Sequence, residues 1–397
     1  MEENIVREKL AQAVDILNEE DVDLWMLVAR ESDVMGDPSM PLVVGTSVTW
    51  ESAFLVSRDG SHVAIVGTGD VDNIRTTGAW DNVIGYVEGI SGDLKAEIEK
   101  RNPKSIALNY ATDDSMADGL THGMYLLLEE QLKDTGYVER FQPAGDIPRK
   151  VRGRKSPAEL KRIRQAVVTT ERIWEATERY LKAGISENNV SEFMHGQLEE
   201  RRLGSSWDWR YCPTVTAGPD SPKGHVAPSQ IKIEPGHVVS IDFGVNEEEY
   251  SSDMQRTFYV LKPGESDAPD EVKRHFAIVD RCIQSAAEFI KPGVMGWEVD
   301  NVAREIFEAE GLEPWKYALG HQMGRACHDG GTVLGPRWER YGQRPFGRVE
   351  KDEVYTLEIG CAVPGFGFVS LEEDIVVTED GCEFLAAPQR EVIVVEA

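Results

Sequence analysis

The sequence predicts a two-domain α/β protein: a mixed α/β domain over residues 1–150, then a larger α+β domain over 151–397 built from two related halves. Three observations lead there. At 397 residues the chain exceeds what one ordinary core holds and fits two domains of roughly 150 residues or somewhat unequal size. The basic run Pro148-Arg149-Lys150-Val151-Arg152-Gly153-Arg154-Lys155 interrupts an otherwise acidic chain and reads as the connection between them. Finally, a short element recurs, Leu181-Lys182-Ala183-Gly184-Ile185 and Ile290-Lys291-Pro292-Gly293-Val294. Each copy follows a long helix and precedes a second helix and paired strands, the pattern of an internal duplication.

The elements follow in order. Val6, Leu10, Val14 and Leu17 recur at helical spacing and predict an amphipathic opening helix. Asp23 to Ala29 reads as a buried strand, and the runs 53–57 and 62–66 flank Asp59-Gly60, a hairpin signal. A further strand at Ser105 to Leu108 and helices over 94–101 and 124–135 complete a mixed domain. It carries no catalytic constellation; His62 and His122 read as surface or packing residues. Ser156-Pro157-Ala158-Glu159 then combines an N-cap, a proline at the first helical position and a capping-box glutamate, so a long helix starts near Pro157.

Composition narrows the function. The formal net charge of −28, from 42 basic and 70 acidic residues, disfavours nucleic acid and anionic membrane as partners, since both are polyanions. The N-terminus is charged and has no apolar signal core, and no stretch approaches a membrane span, so a cytoplasmic location is expected. Five scattered cysteines without a CxxC pair read as reduced thiols, most of them buried.

The chemistry concentrates in two hairpins. The runs Val238 to Val245 and Tyr250 to Thr257 flank Asn246-Glu247-Glu248-Glu249, and an unbulged turn centred between Glu247 and Glu248 puts Asp242 directly opposite Asp253. Opposed carboxylates lie roughly 5 Å apart at Cβ and need either a shared proton or a bound cation. The later runs 354–359 and 368–377 flank Pro364-Gly365-Phe366-Gly367, which sets Glu358 opposite Glu372. Four clustered carboxylates need about two divalent cations to approach neutrality. A nitrogen ligand fits beside them, and His321 in Leu319-Gly320-His321-Gln322-Met323-Gly324 is the best candidate, because neighbouring glycines let the backbone approach closely. His225 and His328 are candidates for contacts around the metals or with substrate, whereas His195, His237 and His275 read as structural.

In this order the motifs I-D-F-G-V, S-D-x-x-R-T, G-H-x-x-G, T-x-E-x-G and L-E-E-D-I-V-V-T resemble those of the pita-bread metallopeptidases, which include methionine aminopeptidase, Xaa-Pro aminopeptidase and prolidase. The likeness covers the chain from Lys155 onward, and the first domain looks like the N-terminal domain of the prolidase, Xaa-Pro aminopeptidase and creatinase branch. It implies a pita-bread catalytic domain over 151–397 and a creatinase-like domain over 1–150. It also implies a metal set of Asp242, Asp253, His321, Glu358 and Glu372, with Asp253 and Glu372 bridging two ions. His225 is then the histidine near the substrate, and His328 the one that polarises the scissile carbonyl. The resemblance further implies attack by a metal-bridging hydroxide, with Glu358 shuttling its proton to the leaving nitrogen. The expected metal is manganese, with cobalt, iron or zinc fitting the same oxygen-rich site. The expected activity is hydrolysis of short peptides of Xaa-Pro type, as an aminopeptidase or dipeptidase and as a homodimer. Two other readings stay open: a metal-dependent hydrolase or lyase acting on a small molecule, and behind it a non-catalytic binding protein. Departures from the family pattern at Tyr317, Gln322, Ile359 and Ser370 are expected to bear on substrate rather than on metal. Trp207-Asp208-Trp209-Arg210-Tyr211 reads as aromatic packing that could also contribute substrate contacts.

Overall fold

The computed structural model describes residues 4–224 and 226–396. They form two compact units, 1–158 and 159–397. The division falls within the first turn of the helix Pro157–Tyr180. The basic run expected to connect the units instead lies largely in the helix Asp146–Gly153, which belongs to the first.

The first unit is a six-stranded mixed sheet in the order Asn82–Tyr86, His62–Gly67, Ser52–Ser57, Leu24–Ala29, Ile106–Leu108, Phe141–Pro143. Leu24–Ala29 is buried along its whole length, as its unbroken apolar run requires of a central strand. One face of the sheet packs on the helices Ser91–Arg101 and His122–Leu132 through Leu94, Ile98, Leu128 and Leu132. Gly60 takes a left-handed φ of 92° in the Asp59-Gly60 turn, which a side chain would resist.

The second unit is organised around a sheet in which Val354–Val363, Gly367–Val377, Met254–Val260, Val238–Phe243 and Thr214–Ala217 lie side by side. Its residues alternate strictly between two environments, as the two-residue period of a strand demands. Tyr355, Leu357, Ile359, Cys361, Val369, Leu371 and Ile375 join a core with the helices Asp270–Phe289 and Gly296–Ala309. Val239, Ile241, Phe243, Phe258 and Val260 join a second core with Val167, Ile173, Trp174, Val190, Met194 and Leu198 from the helices Pro157–Tyr180 and Glu187–Arg201. Each half therefore buries one side of its hairpin beneath its own pair of helices. The opposite side carries the polar residues.

The duplication holds in detail. Gly184 and Gly293 both have left-handed φ values, 90° and 94°. The Gly184 N–H donates to the Ile233 carbonyl (2.8 Å) and the Ile233 N–H to Ile185 (2.9 Å). In the second half the Gly293 N–H donates to Val349 (2.8 Å) and the Val349 N–H to Val294 (2.8 Å). Ile233 and Val349 thus correspond, and counting forward from them aligns Asp242 with Glu358 and Gly244 with Gly360. Among the described residues no helix is long and apolar enough to cross a membrane.

Candidate metal centre

Four acidic or amide side chains stand in one row across the polar face of the sheet. Asp242 is the register partner of Gln255, Gln255 of Glu372, and Glu372 of Glu358. The second hairpin has the symmetric register its turn predicts, with Gly365 at its centre in a left-handed conformation (φ 79°). The first does not. Its turn residues are Glu248 and Glu249, both with positive φ (49° and 68°), between the paired residues Glu247 and Tyr250. This two-residue turn of primed type moves the register by two. Asp242 therefore faces Gln255, and Asp253 becomes its diagonal neighbour rather than its direct partner. A shift of two leaves both on the same face.

His321 reaches this row from a segment laid along the strand Val354–Val363. The Thr356 N–H donates to the His321 carbonyl (3.0 Å) and the Met323 N–H to Val354 (3.1 Å). The approach depends on Gly320, where a Cβ would lie 1.9 Å from the Thr356 oxygen. His321 Nε2 lies 3.6 Å from Asp253 Oδ2 and 3.9 Å from Glu372 Oε1. Its Nδ1 sits 3.2 Å from the Gln322 carbonyl, a bond that fixes the tautomer and leaves the Nε2 lone pair for a ligand. Candidate ligand atoms of Asp253, His321 and Glu372 all fall within 4.8 Å of one another.

The electrostatics call for positive charge. Burial raises Asp242 to about 7 and Glu358 to about 8. Asp253 and Glu372 are driven well above the ordinary carboxylate range, first by burial and then by neighbouring acids. Burial also pushes His321 down to about 3, so it is a neutral base near pH 7. Asp242 Oδ1 and Asp253 Oδ1 are buried with no hydrogen-bond partner. Orphaned carboxylate oxygens aimed into an acidic pocket are costly unless a cation takes them, so the donor set fits divalent metal. Neighbouring bonds hold the ligands in place: Asp374 Oδ2 accepts from the Asp253 N–H (3.0 Å), and Gln255 Nε2 donates to Glu372 Oε2 (2.7 Å).

The remaining predicted residues divide. His328 is exposed, and its ring meets that of His321 edge-on with centroids 4.3 Å apart. His225 lies outside the described residues. Gln322 points away from the site, donating to Glu353 Oε1 (2.8 Å) and the Tyr355 hydroxyl (3.1 Å) in a buried network. Ile359 packs in the helix-side core. Ser370 is buried against the Ser240 hydroxyl, and its N–H donates to Thr257 Oγ1 (3.1 Å). Of the four departures, Tyr317 alone is substantially exposed, and its hydroxyl lies 3.7 Å from where a Cβ on Gly224 would be. Trp209 stacks on His195 (4.0 Å), in keeping with a packing role. Sequence reasoning missed Gln255 and Cys327, whose Sγ donates to Asp253 Oδ2 at 2.9 Å. A correctly centred first turn would have revealed Gln255.

The model of metallopeptidase family M24 matches residues 161–379. The Xaa-Pro dipeptidase of Pyrococcus horikoshii is 28% identical over 66% of this chain and 71% of its own length. Among solved structures, an X-Pro aminopeptidase from Thermotoga maritima superposes with a TM-score of 0.72 at 25% identity, covering 97% of this chain and 99% of that one. A Xaa-Pro dipeptidase from Bacillus anthracis gives a TM-score of 0.76 at 23% identity over 98% and 100% of the two chains, a likeness of fold.

Proposed function

Because the chain belongs to metallopeptidase family M24 and is therefore a metal-dependent peptidase, we propose that it is a two-metal exopeptidase acting on short peptides of Xaa-Pro type. The observation that carries this reading is the row of buried carboxyls with two orphaned aspartate oxygens, closed on one side by the free Nε2 of His321. Asp242, Asp253, His321, Glu358 and Glu372 would together hold the two cations. Bound divalent cations supply charge that polarises the scissile carbonyl and makes water a competent nucleophile near neutral pH. The chain's own residues do the rest. Glu358 accepts the proton of the attacking water and returns it to the leaving nitrogen. His328, exposed beside His321, would donate to the carbonyl oxygen as charge develops there. His225 would contact the substrate.

The Xaa-Pro preference is supported by the names of the relatives in sequence and structure. Ser370 is buried in hydroxyl contacts and offers no charge to a substrate carboxylate. From the oxygen-rich acidic row alone manganese is the expected metal, with cobalt, iron or zinc fitting the same site. The test is metal quantification coupled to a screen of dipeptides and tripeptides with proline at each position. About two equivalents of metal and chelator-sensitive cleavage of Xaa-Pro bonds are expected. Two bound metals with no cleavage of any peptide would refute the substrate reading, and one metal or none would refute the centre.

A further inference from the structure

We propose that the Cys327 thiol is an additional metal donor, which turns the His321 side of the centre from an oxygen and nitrogen site into one that also holds sulfur. The proposal rests on the reading of the acidic row as a metal centre. Cys327 is 7% exposed and lies immediately before His328. Its Sγ is 2.9 Å from Asp253 Oδ2, the same oxygen that His321 Nε2 approaches at 3.6 Å. Ligand atoms of His321, Cys327 and His328 also fall within 4.8 Å of one another. Two donors on one cation, at metal–oxygen distances near 2.1 Å and metal–sulfur near 2.3 Å, stand about 3 to 3.6 Å apart. The thiol and the imidazole are thus spaced from Asp253 much as ligands of a common ion are.

A second observation points the same way. Asp253 Oδ1 is buried without a partner while Oδ2 receives the thiol proton, so the carboxyl has one oxygen satisfied and one free. A cation arriving here deprotonates a coordinating thiol, the S–H proton leaves to solvent, and both Asp253 oxygens become available to metal. Cys212 is the natural comparison. Its Sγ donates to the Gly244 carbonyl (3.4 Å), and the residue packs in the apolar core with Ile241 and Phe243. A sulfur donor shifts preference towards zinc, cobalt or iron and away from manganese.

Cobalt(II) added to the metal-free full-length protein separates the possibilities, because its visible d–d bands report occupancy and a near-ultraviolet charge-transfer band reports thiolate ligation. Wild type and Cys212→Ser should show both signals. Cys327→Ser and Cys327→Ala should keep the visible bands and lose the ultraviolet one, and their preference for zinc over manganese should fall by about 10-fold or more. Visible bands without a charge-transfer band in wild type, or a band that survives in both Cys327 variants, would overturn the proposal and leave the metal centre standing. No cobalt binding at all would overturn both.

Discussion

The buried carboxyls make the metal-free protein sensitive to pH in a direction opposite to that of ordinary surface acids. Asp242 and Glu358 have ordinary values of 3.8 and 4.5 and are raised to about 7 and about 8 in the fold. Between those limits the folded state keeps protons that the unfolded state has released, so stability falls as pH rises through them. His321 works the other way: its value falls from 6.5 to about 3, so its contribution rises with pH up to about 6.5 and is flat beyond. Glu353 and Glu373, also raised to about 7, are half-titrated at pH 7 and contribute progressively less as the pH climbs to 8. The window from pH 7 to 8 is therefore dominated by Glu358, by its strongly raised neighbours Asp253 and Glu372, and by Asp374, which burial also drives well above the ordinary carboxylate range. Across it a single such group costs up to about 1.4 kcal/mol, so the metal-free protein should lose on the order of 1 to 5 kcal/mol. Metal in excess reverses the trend, because it binds the deprotonated ligands and adds about 4 kcal/mol at a thousandfold excess over its dissociation constant. Urea unfolding with chelator and with manganese, at half-unit steps from pH 6.5 to 8.5, measures both curves. Metal-free stability that is flat or rising between pH 7 and 8 would refute the argument, as would an unchanged slope in Glu358→Gln.

Three further outcomes follow from the same contacts. Asp253→Ala removes the residue central to the metal set and should abolish bound metal and turnover together, as read by metal analysis and peptide hydrolysis; unchanged metal content would show that the centre lies elsewhere. Gln255→Ala takes away the donor at 2.7 Å from Glu372 Oε2 and should weaken metal binding about 10- to 100-fold in a competition titration, with the fold intact by circular dichroism. Gln322→Ala leaves Glu353 and the Tyr355 hydroxyl without their amide donor and should cost about 1 to 3 kcal/mol in urea unfolding while KM stays unchanged; a raised KM at normal stability would return Gln322 to the substrate site.

What could be read in the sequence was whatever a local signal determined. The Pro364 to Gly367 turn carries its own punctuation, so the opposition of Glu358 and Glu372 follows from counting outward. The first hairpin turns on two glutamates in left-handed conformations with no glycine to mark them, and a register resting on them cannot be read from residue type. Gln322 and Ser370 were legible as departures but not as to where they point, because direction depends on partners far away in sequence. The duplication was more legible than its short glycine element suggests. Ile233 to Gly244 and Val349 to Gly360 share the same spacing of apolar residues, acid and glycine, and aligning the two segments by residue type sets Asp242 against Glu358.

The two hairpins belong to different halves, so no turn sets their mutual register. That register is nonetheless what determines whether four carboxyls form one site or two separate pairs. The strands Met254–Val260 and Gly367–Val377 are matched at the single pair Gln255 and Glu372, after which Ile393–Val395 takes up the pairing with Phe258 to Val260. The alignment must therefore come from side chains that reach across the junction. Thr257 Oγ1 donates to the Ser370 carbonyl (2.7 Å) and accepts from the Ser370 N–H (3.1 Å). Arg256 pairs with buried Glu373 at 3.0 Å, and Asp374 receives the Asp253 N–H. These contacts span 113 to 121 residues of sequence and flank the acids on both strands. Ser370 thus has a physical reason to be small and hydroxylated: it helps lock the junction that brings the carboxyls of the two halves to a common centre.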